Sequence, residues 1–188
     1  MEPLRETIRW GESEIASLLL DKVDPCLARR SRFSESLLQT AVESYANTEE
    51  MVRLCIRSGI STREFCDKSC SGSSFHTCTP VHYGPLNLAL VQGELALGKL
   101  LHESGATSNE ELYRLKTDAC LKNLLERRGR RDIIQYLDKV SSSPHSLQNL
   151  CRLRVSHLIG CRPGRAQRME SLPLPSIVKD LVSFSDIL

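Results

Sequence analysis

The amino-acid sequence predicts an all-α protein, made of a short array of helical repeats and a small helical module near the C-terminus. Hydrophobic residues make up 40% of the 188 residues but aromatic residues only 5%, and a core of mainly Leu, Ile, Val and Ala favours helices. Paired helical stretches recur through the first 140 residues. The polar run Ser141-Ser142-Ser143-Pro144 then indicates a boundary, because it breaks the helical pattern.

Each repeat consists of a short helical stretch, a glycine or asparagine, and a second, aliphatic helical stretch. The glycine or asparagine stands at Gly11, Asn47, Gly93 and Gly129, positions that lie 36, 46 and 36 residues apart. The pattern predicts four units near residues 1–24, 34–60, 84–107 and 117–140. An insertion at 61–83 separates the second unit from the third.

The third unit has the most specific sequence. Gly84-Pro85-Leu86-Asn87-Leu88-Ala89 resembles the Thr-Pro-Leu-His-x-Ala signature of ankyrin repeats, whose period is about 33 residues. Proline suits the first turn of a helix, where its missing N–H group costs nothing, and Gly93 suits the turn between two helices. The resemblance implies a solenoid of about four degenerate ankyrin units, with a protein target bound on its concave face and hairpin tips.

The first two units depart from the ankyrin pattern. In the second, Asn47 replaces the glycine and the turn between the helices is about two residues longer. The first begins at its own third residue, so Met1 stands where the hairpin leading into the repeat should already have passed. We therefore expect a short form, a fragment, or a first unit that is poorly ordered.

The insertion at 61–83 contains five residues that could bind a metal ion: Cys66, Cys70, His76, Cys78 and His82. Structural Zn²⁺ takes four such thiolate or imidazole ligands. Their spacing matches none of the tight finger or ribbon patterns, however, and loops of this length are often functional or disordered. We therefore favour a flexible loop with reduced thiols over a zinc site, and we predict no metal or cofactor.

Charge and motifs argue against several classes of function. The net charge of +2 gives no reason to expect nucleic acid or a membrane as a partner. The sequence also lacks a long apolar run and a signal-peptide pattern. This predicts a cytoplasmic protein, with a nuclear location left open, and cysteines that are reduced.

Cys55, Cys120 and Cys151 lie where a small apolar residue would fit a helix. The basic run at 127–131 could be a nuclear address, but we favour a solvated turn. No catalytic motif is present, so we predict a protein that is not an enzyme.

The segment after the boundary begins with an amphipathic helix. At 3.6 residues per turn, Leu147, Cys151, Val155 and Leu158 form one stripe, with Leu150 at its edge. The stripe could pack on the last repeat or bind a partner. Arg154 also falls inside it, which is unusual for a buried face unless its stem lies flat with its charge at the rim.

These residues resemble the elongin-binding motif of the SOCS box, in which a Leu is followed by a Cys four residues later and an aliphatic residue four beyond that. The resemblance places the SOCS box at 144–188 and implies that elongin C, together with elongin B, binds this stripe. It assigns elongin C contacts to Leu147, Leu150, Cys151, Val155 and Leu158.

The cullin-selecting motif of the SOCS box resembles the sequence that follows. The matching residues are Leu172, Pro173, Leu174, Pro175, Val178 and Leu181, with Met169 before them and Val182 after them. Leu181 is the one departure, because the family prefers Tyr or Phe there. The Leu-Pro-x-Pro order implies cullin-5, with its RING partner, rather than cullin-2.

Together, the repeats and the tail resemble the ankyrin-repeat and SOCS-box family. The resemblance implies a substrate-recognition adaptor of an elongin B/C–cullin-5 ubiquitin ligase, whose protein substrate the sequence does not name. Two alternatives stay open: a simple ankyrin scaffold whose tail caps the repeats, and a short form that binds elongin without delivering a substrate.

Overall fold

The computed structural model describes residues 2–23, 36–60, 84–107, 109–143, 145–160 and 163–184. These ranges contain twelve helices and no strand, which confirms an all-α protein for the described part of the chain. The helices are α1 (Glu2–Trp10), α2 (Ser13–Lys22), α3 (Leu37–Val42), α4 (Thr48–Arg57), α5 (Pro85–Gln92), α6 (Leu95–Glu103), α7 (Asn109–Thr117), α8 (Ala119–Arg127), α9 (Arg131–Ser142), α10 (Leu147–Ile159), α11 (Arg165–Glu170) and α12 (Ser176–Val182).

The chain divides into two compact units. One comprises residues 1–60 together with 146–188, and the other comprises residues 61–145. In the first unit, α1 packs on α2 and α3, while α4 packs on α2 and α3. The core between these four helices is aliphatic and almost fully buried, and its members include Leu4, Ile8, Ala16, Leu38, Met51 and Val52. Helices α10–α12 form the rest of this unit.

The turns of the first two helix pairs are joined to each other. Gly11, between α1 and α2, and Asn47, before α4, both have left-handed backbone conformations, with φ of 76° and 53°. Asn is among the few residues other than Gly that adopt this conformation readily. The Asn47 side-chain amide donates to the Gly11 carbonyl at 3.2 Å. A Cβ on Gly11 would lie 2.2 Å from the Ala46 carbonyl oxygen, so this contact requires glycine.

The second unit contains α5–α9. Pro85 is the first residue of α5, while Gly93 and Gly129 have φ of 88° and 69° in the turns before α6 and α9. All four positions that mark the sequence repeat are thus left-handed residues between paired helices. Helix α7 was not expected from the sequence, because the repeat pattern left residues 108–116 between two units. It buries Leu112 and packs closely against α9.

Three ring side chains meet in the second unit. The His102 ring on α6 stacks on His145, with centroids 4.8 Å apart, and its edge contacts Tyr136 on α9, with centroids 6.2 Å apart. Burial, and then the neighbouring His145, lowers the pKa of His102 from 6.5 to about 4. His102 therefore stays neutral in the folded protein under conditions where the unfolded chain begins to bind a proton.

We expect this histidine to make the protein less stable in mild acid. Its pKa is lower in the folded protein than in the unfolded chain, so its contribution to stability is present above pH 6.5 and is lost as the pH falls toward 4. Urea unfolding at pH 7 and pH 5 measures the loss. The variant His102→Gln should lose less stability between these two values, whereas the exposed His157→Gln should behave like the unchanged protein.

Candidate functional site

Helix α10 is defined at both ends by its sequence. The Ser146 side chain accepts a hydrogen bond from the Asn149 backbone N–H at 3.1 Å, which is a typical N-cap. At the other end, Gly160 adopts a positive φ of 72°, a conformation that suits glycine and ends the helix. The 13 residues between them form the longest helix in the described part of the chain.

One face of α10 is buried against α11 and α12. Arg152 and Leu153 are the buried residues of this face. The Arg152 guanidinium lies 5.4 Å from the centroid of the Phe184 ring, which is itself buried. A cation over an aromatic face is attractive, and more so away from water. Arg152 and Leu153 thus turn this face of α10 toward the interior of the module.

The opposite face of α10 is apolar and exposed. The side chains of Leu147 and Leu158 are 77% and 69% exposed, and Leu150 and Cys151 are exposed as well. Leu147, Cys151 and Leu158 point within about 40° of one another around the helix axis, roughly 100° or more from the buried residues. The predicted stripe is therefore the outward face of the helix, with Val155 half-buried at its edge. Because Arg154 is exposed too, its place in the stripe needs no special packing.

The proline-containing segment leads directly into α12. Leu172 and Leu174 are half-buried, whereas Pro173 and Pro175 are exposed. The Leu174 N–H donates to the Leu172 carbonyl at 2.8 Å, which forms a tight local turn, and Pro175 is the N-cap of α12. The segment therefore has a fixed shape with its prolines on the surface.

The side chains that follow divide between the surface and the interior of this module. Val178 and Leu181 on α12 are half-buried. Val182 and Met169, which also fit the sequence motif, are buried in the interior. Those two therefore stabilise the module rather than contact a partner.

Comparison with known families gives this module a name. Residues 143–182 match the family model of the SOCS box. The chain carries a SOCS box. Proteins with this module generally act as adaptors that link to E3 ubiquitin ligases of elongin B, elongin C and a cullin, and they are typically non-catalytic. No solved structure matches the chain.

Ile177 is a surface residue of the SOCS box that the sequence analysis missed. It lies on α12 and is 75% exposed, next to the half-buried Val178 that the motif selects. The motif has no requirement at this position, so only the structure identifies Ile177 as an apolar side chain available to a partner beside the exposed prolines.

Arg165 is the second residue that sequence reasoning missed. It is only 5% exposed, yet it begins α11. Its guanidinium donates to the Arg57 carbonyl at 2.9 Å, the Gly160 carbonyl at 2.6 Å, and both the carbonyl and hydroxyl oxygens of Ser156. Arg57 ends α4 and Gly160 caps α10, so one side chain joins the C-terminal ends of two helices. Arg165 thereby attaches the SOCS box to the second helix pair.

The positive charge of Arg165 suits its place at the C-terminal ends of two helices. The C-terminal end of a helix carries roughly half a negative charge and has carbonyls without helical partners. Burial, and then the neighbouring Arg168, lowers the pKa of Arg165 to about 10, so the group is still charged near neutral pH. The hydrogen-bond partners of Arg165 in the described ranges are carbonyl oxygens and the Ser156 hydroxyl, without a carboxylate. The negative ends of the two helices compensate part of its charge.

The other candidate residues form no second site in the described part of the chain. Cys66, Cys70, His76, Cys78 and His82 lie outside the described residues. Among the described residues, no group of three or more His, Cys, Asp or Glu side chains could hold a metal ion, and no described helix is long and apolar enough to cross a membrane.

The remaining cysteines and the basic run have simple environments. Cys55 is buried, and burial raises the pKa of its thiol to about 12, so it behaves as an apolar core residue, as expected. Cys120 and Cys151 are exposed, and Cys151 lies on the outward stripe of α10. In the basic run, Arg128 donates to the Val91 carbonyl, and Arg130 pairs with Asp132 at 3.1 Å. Part of this charge is thus engaged by other groups of the second unit.

Proposed function

We propose that the protein is a substrate-recognition adaptor of an elongin B/C–cullin-5 ubiquitin ligase. The observation that carries this proposal is the exposed apolar face of α10 within the SOCS box. Two leucines more than two-thirds exposed on one stripe cost hydrophobic free energy unless a partner covers them. The position of Leu147 and Cys151 on this stripe supports elongin C as that partner.

The same exposure counts against the alternative in which the tail caps the repeats. A cap would bury Leu147 and Leu158, but α10 uses the face with Leu153 for its internal packing. Arg165 already attaches the module to α4 from another side. The stripe is therefore available to a second protein while the SOCS box stays in place.

In this proposal the helix pairs hold the substrate and the partners supply the chemistry. Four pairs with left-handed residues at Gly11, Asn47, Gly93 and Gly129 support an ankyrin-type array, whose surface would bind a protein. Ubiquitin transfer would then follow from proximity, since holding two reactants together raises their effective concentration.

Co-expression with elongin B and elongin C tests the proposal. We expect the full chain to co-purify with both elongins as a stable complex of fixed stoichiometry through size-exclusion chromatography. A chain that folds but elutes separately from the elongins would contradict the adaptor function. A cooperative thermal denaturation of the chain purified without the elongins first establishes that it is folded.

The choice of cullin makes a separate prediction. The elongin complex of the chain should bind cullin-5 with its RING partner more tightly than cullin-2, because the Leu-Pro-x-Pro order at 172–175 resembles the cullin-5 form of the motif. The exposed Pro173 and Pro175 fix the segment and lower the entropy lost on binding. Replacing both prolines by alanine should weaken cullin-5 binding by about three- to tenfold, with elongin binding unchanged. Equal affinity for the two cullins, measured by calorimetry, would contradict the assignment.

A further inference from the structure

Two aromatic side chains stand exposed at the turns of the first two helix pairs. Trp10, the only tryptophan of the chain, is 60% exposed, and Tyr45 is 72% exposed. Their rings contact each other, with centroids 5.1 Å apart and planes tilted by 43°. Single exposed hydrophobic residues are common on proteins, but Trp and Tyr in contact with each other are the residue types that dominate binding energy at interfaces.

The backbone holds this aromatic pair in place. The Tyr45 N–H donates to the Arg9 carbonyl at 2.9 Å, which ties one turn to the helix end that carries Trp10. The amide of Asn47 donates to the Gly11 carbonyl, and Gly11 touches Ala46 so closely that no side chain would fit. The two rings therefore share a rigid base, and a partner would lose little entropy in ordering them.

The surroundings of the pair are acidic. Residues 10–14 and 43–50 contain five glutamates and no lysine or arginine. Glu49 pairs with Arg53, whereas Glu12, Glu14 and Glu50 are exposed and make no ion pair within the described part of the chain. The N-terminal ends of α2 and α4 add roughly half a positive charge each, which the three carboxylates outweigh. Arg9, next to Trp10, pairs with Glu6, so the exposed charge of the two turns is mainly that of the three carboxylates.

We infer that the aromatic–acidic surface, formed by Trp10, Glu12, Glu14, Tyr45 and Glu50, binds an arginine-rich segment of a protein partner. A guanidinium can stack on an aromatic ring and pair with a carboxylate through its planar fork of donors. The two turns carry both kinds of group within a few residues of each other in sequence. The inference rests on the proposed adaptor function for its biological meaning, because this segment would belong to the substrate.

The tryptophan makes the binding directly measurable. As the chain has one tryptophan, its fluorescence reports on this surface alone. The probe is an eight-residue peptide of alternating glycine and arginine, titrated into the full chain. We expect a saturable change in emission that weakens as salt is added. A peptide with glutamate in place of each arginine should produce no change.

Substitutions test whether the arginine peptide binds at the aromatic–acidic surface. Tyr45→Ala should weaken peptide binding by at least about threefold, and the triple variant Glu12→Gln, Glu14→Gln, Glu50→Gln should weaken it further. Tyr113→Ala is the matched control, because Tyr113 is a similarly exposed tyrosine elsewhere in the chain. Its peptide affinity should equal that of the unchanged protein. All of these side chains are exposed, so the variants are expected to fold.

Other outcomes would overturn the inference. These are the absence of a saturable change, equal responses to arginine and glutamate peptides, or full binding by the triple variant. A second copy of the chain as occupant would also overturn it, and would appear in sedimentation as self-association that Trp10→Ala abolishes. The peptide titration and the sedimentation experiment both use the chain without elongin. A chain that binds elongin but not the peptide would therefore refute only this inference. A chain that binds the peptide but not elongin would refute only the adaptor function.

Discussion

Replacing Leu147 by alanine is expected to weaken the affinity for the elongin B–elongin C complex more than tenfold and to leave the stability of the free protein unchanged. The side chain is 77% exposed, so its removal takes little from the fold, and alanine is the best helix former. In a complex, full burial of one leucine contributes about 1.5–3 kcal/mol, and 1.4 kcal/mol corresponds to tenfold. Isothermal titration calorimetry measures the affinity and thermal unfolding the stability.

Two residues of the same module serve as controls. Ile177→Ala removes a side chain of nearly equal exposure from α12, outside the α10 face, and should leave elongin affinity unchanged. Leu153→Ala alters the buried face of α10 and should lower the free energy of unfolding by about 2–4 kcal/mol. If Leu147→Ala behaved like Leu153→Ala, the exposed face would be part of the protein's own core and the adaptor function would be wrong.

The sequence was sufficient for the apolar stripe of α10 but not for the direction it faces. Helical period alone puts Leu147, Cys151 and Leu158 on one stripe, since this follows from local geometry. Whether that stripe is buried depends on what packs against the other side. The packing uses Arg152 over Phe184, and a charged residue is a poor candidate for a buried face because such residues are almost never fully buried unless paired.

The repeat turns could be predicted for a similar local reason. A left-handed residue between two helices strongly favours glycine or asparagine, so Gly93 and Asn47 stand out in the sequence itself. Helix α7 has no comparable signal. It has few apolar residues, and its burial of Leu112 depends on α9, which lies far along the chain. Tertiary packing, which stabilises most short helices, is invisible in a local pattern.

Arg165→Met is expected to lower the free energy of unfolding by about 3 kcal/mol, because it removes four hydrogen bonds made by a charged donor. Methionine keeps the unbranched apolar stem of arginine but lacks the guanidinium, so the loss combines the polar contacts with a small cavity where the guanidinium lay. The carbonyls of Arg57 and Gly160 would then lie at two helix ends without this donor. Part of the loss is offset, because burying the charge of Arg165 costs free energy, as its pKa of about 10 indicates. The uncharged methionine does not have this cost.

The effect should be specific to this position and to the attachment of the SOCS box. Arg154→Met changes an exposed arginine of α10 and should shift the unfolding midpoint little. Limited proteolysis should cut Arg165→Met earlier between α10 and α11 than the unchanged protein, since α10 and α11 both depend on that side chain. Equal stability of the two methionine variants would mean that Arg165 does not hold the module. Because the α10 face that carries Leu147 lies away from Arg165, elongin should still bind the variant at temperatures where α10 is folded.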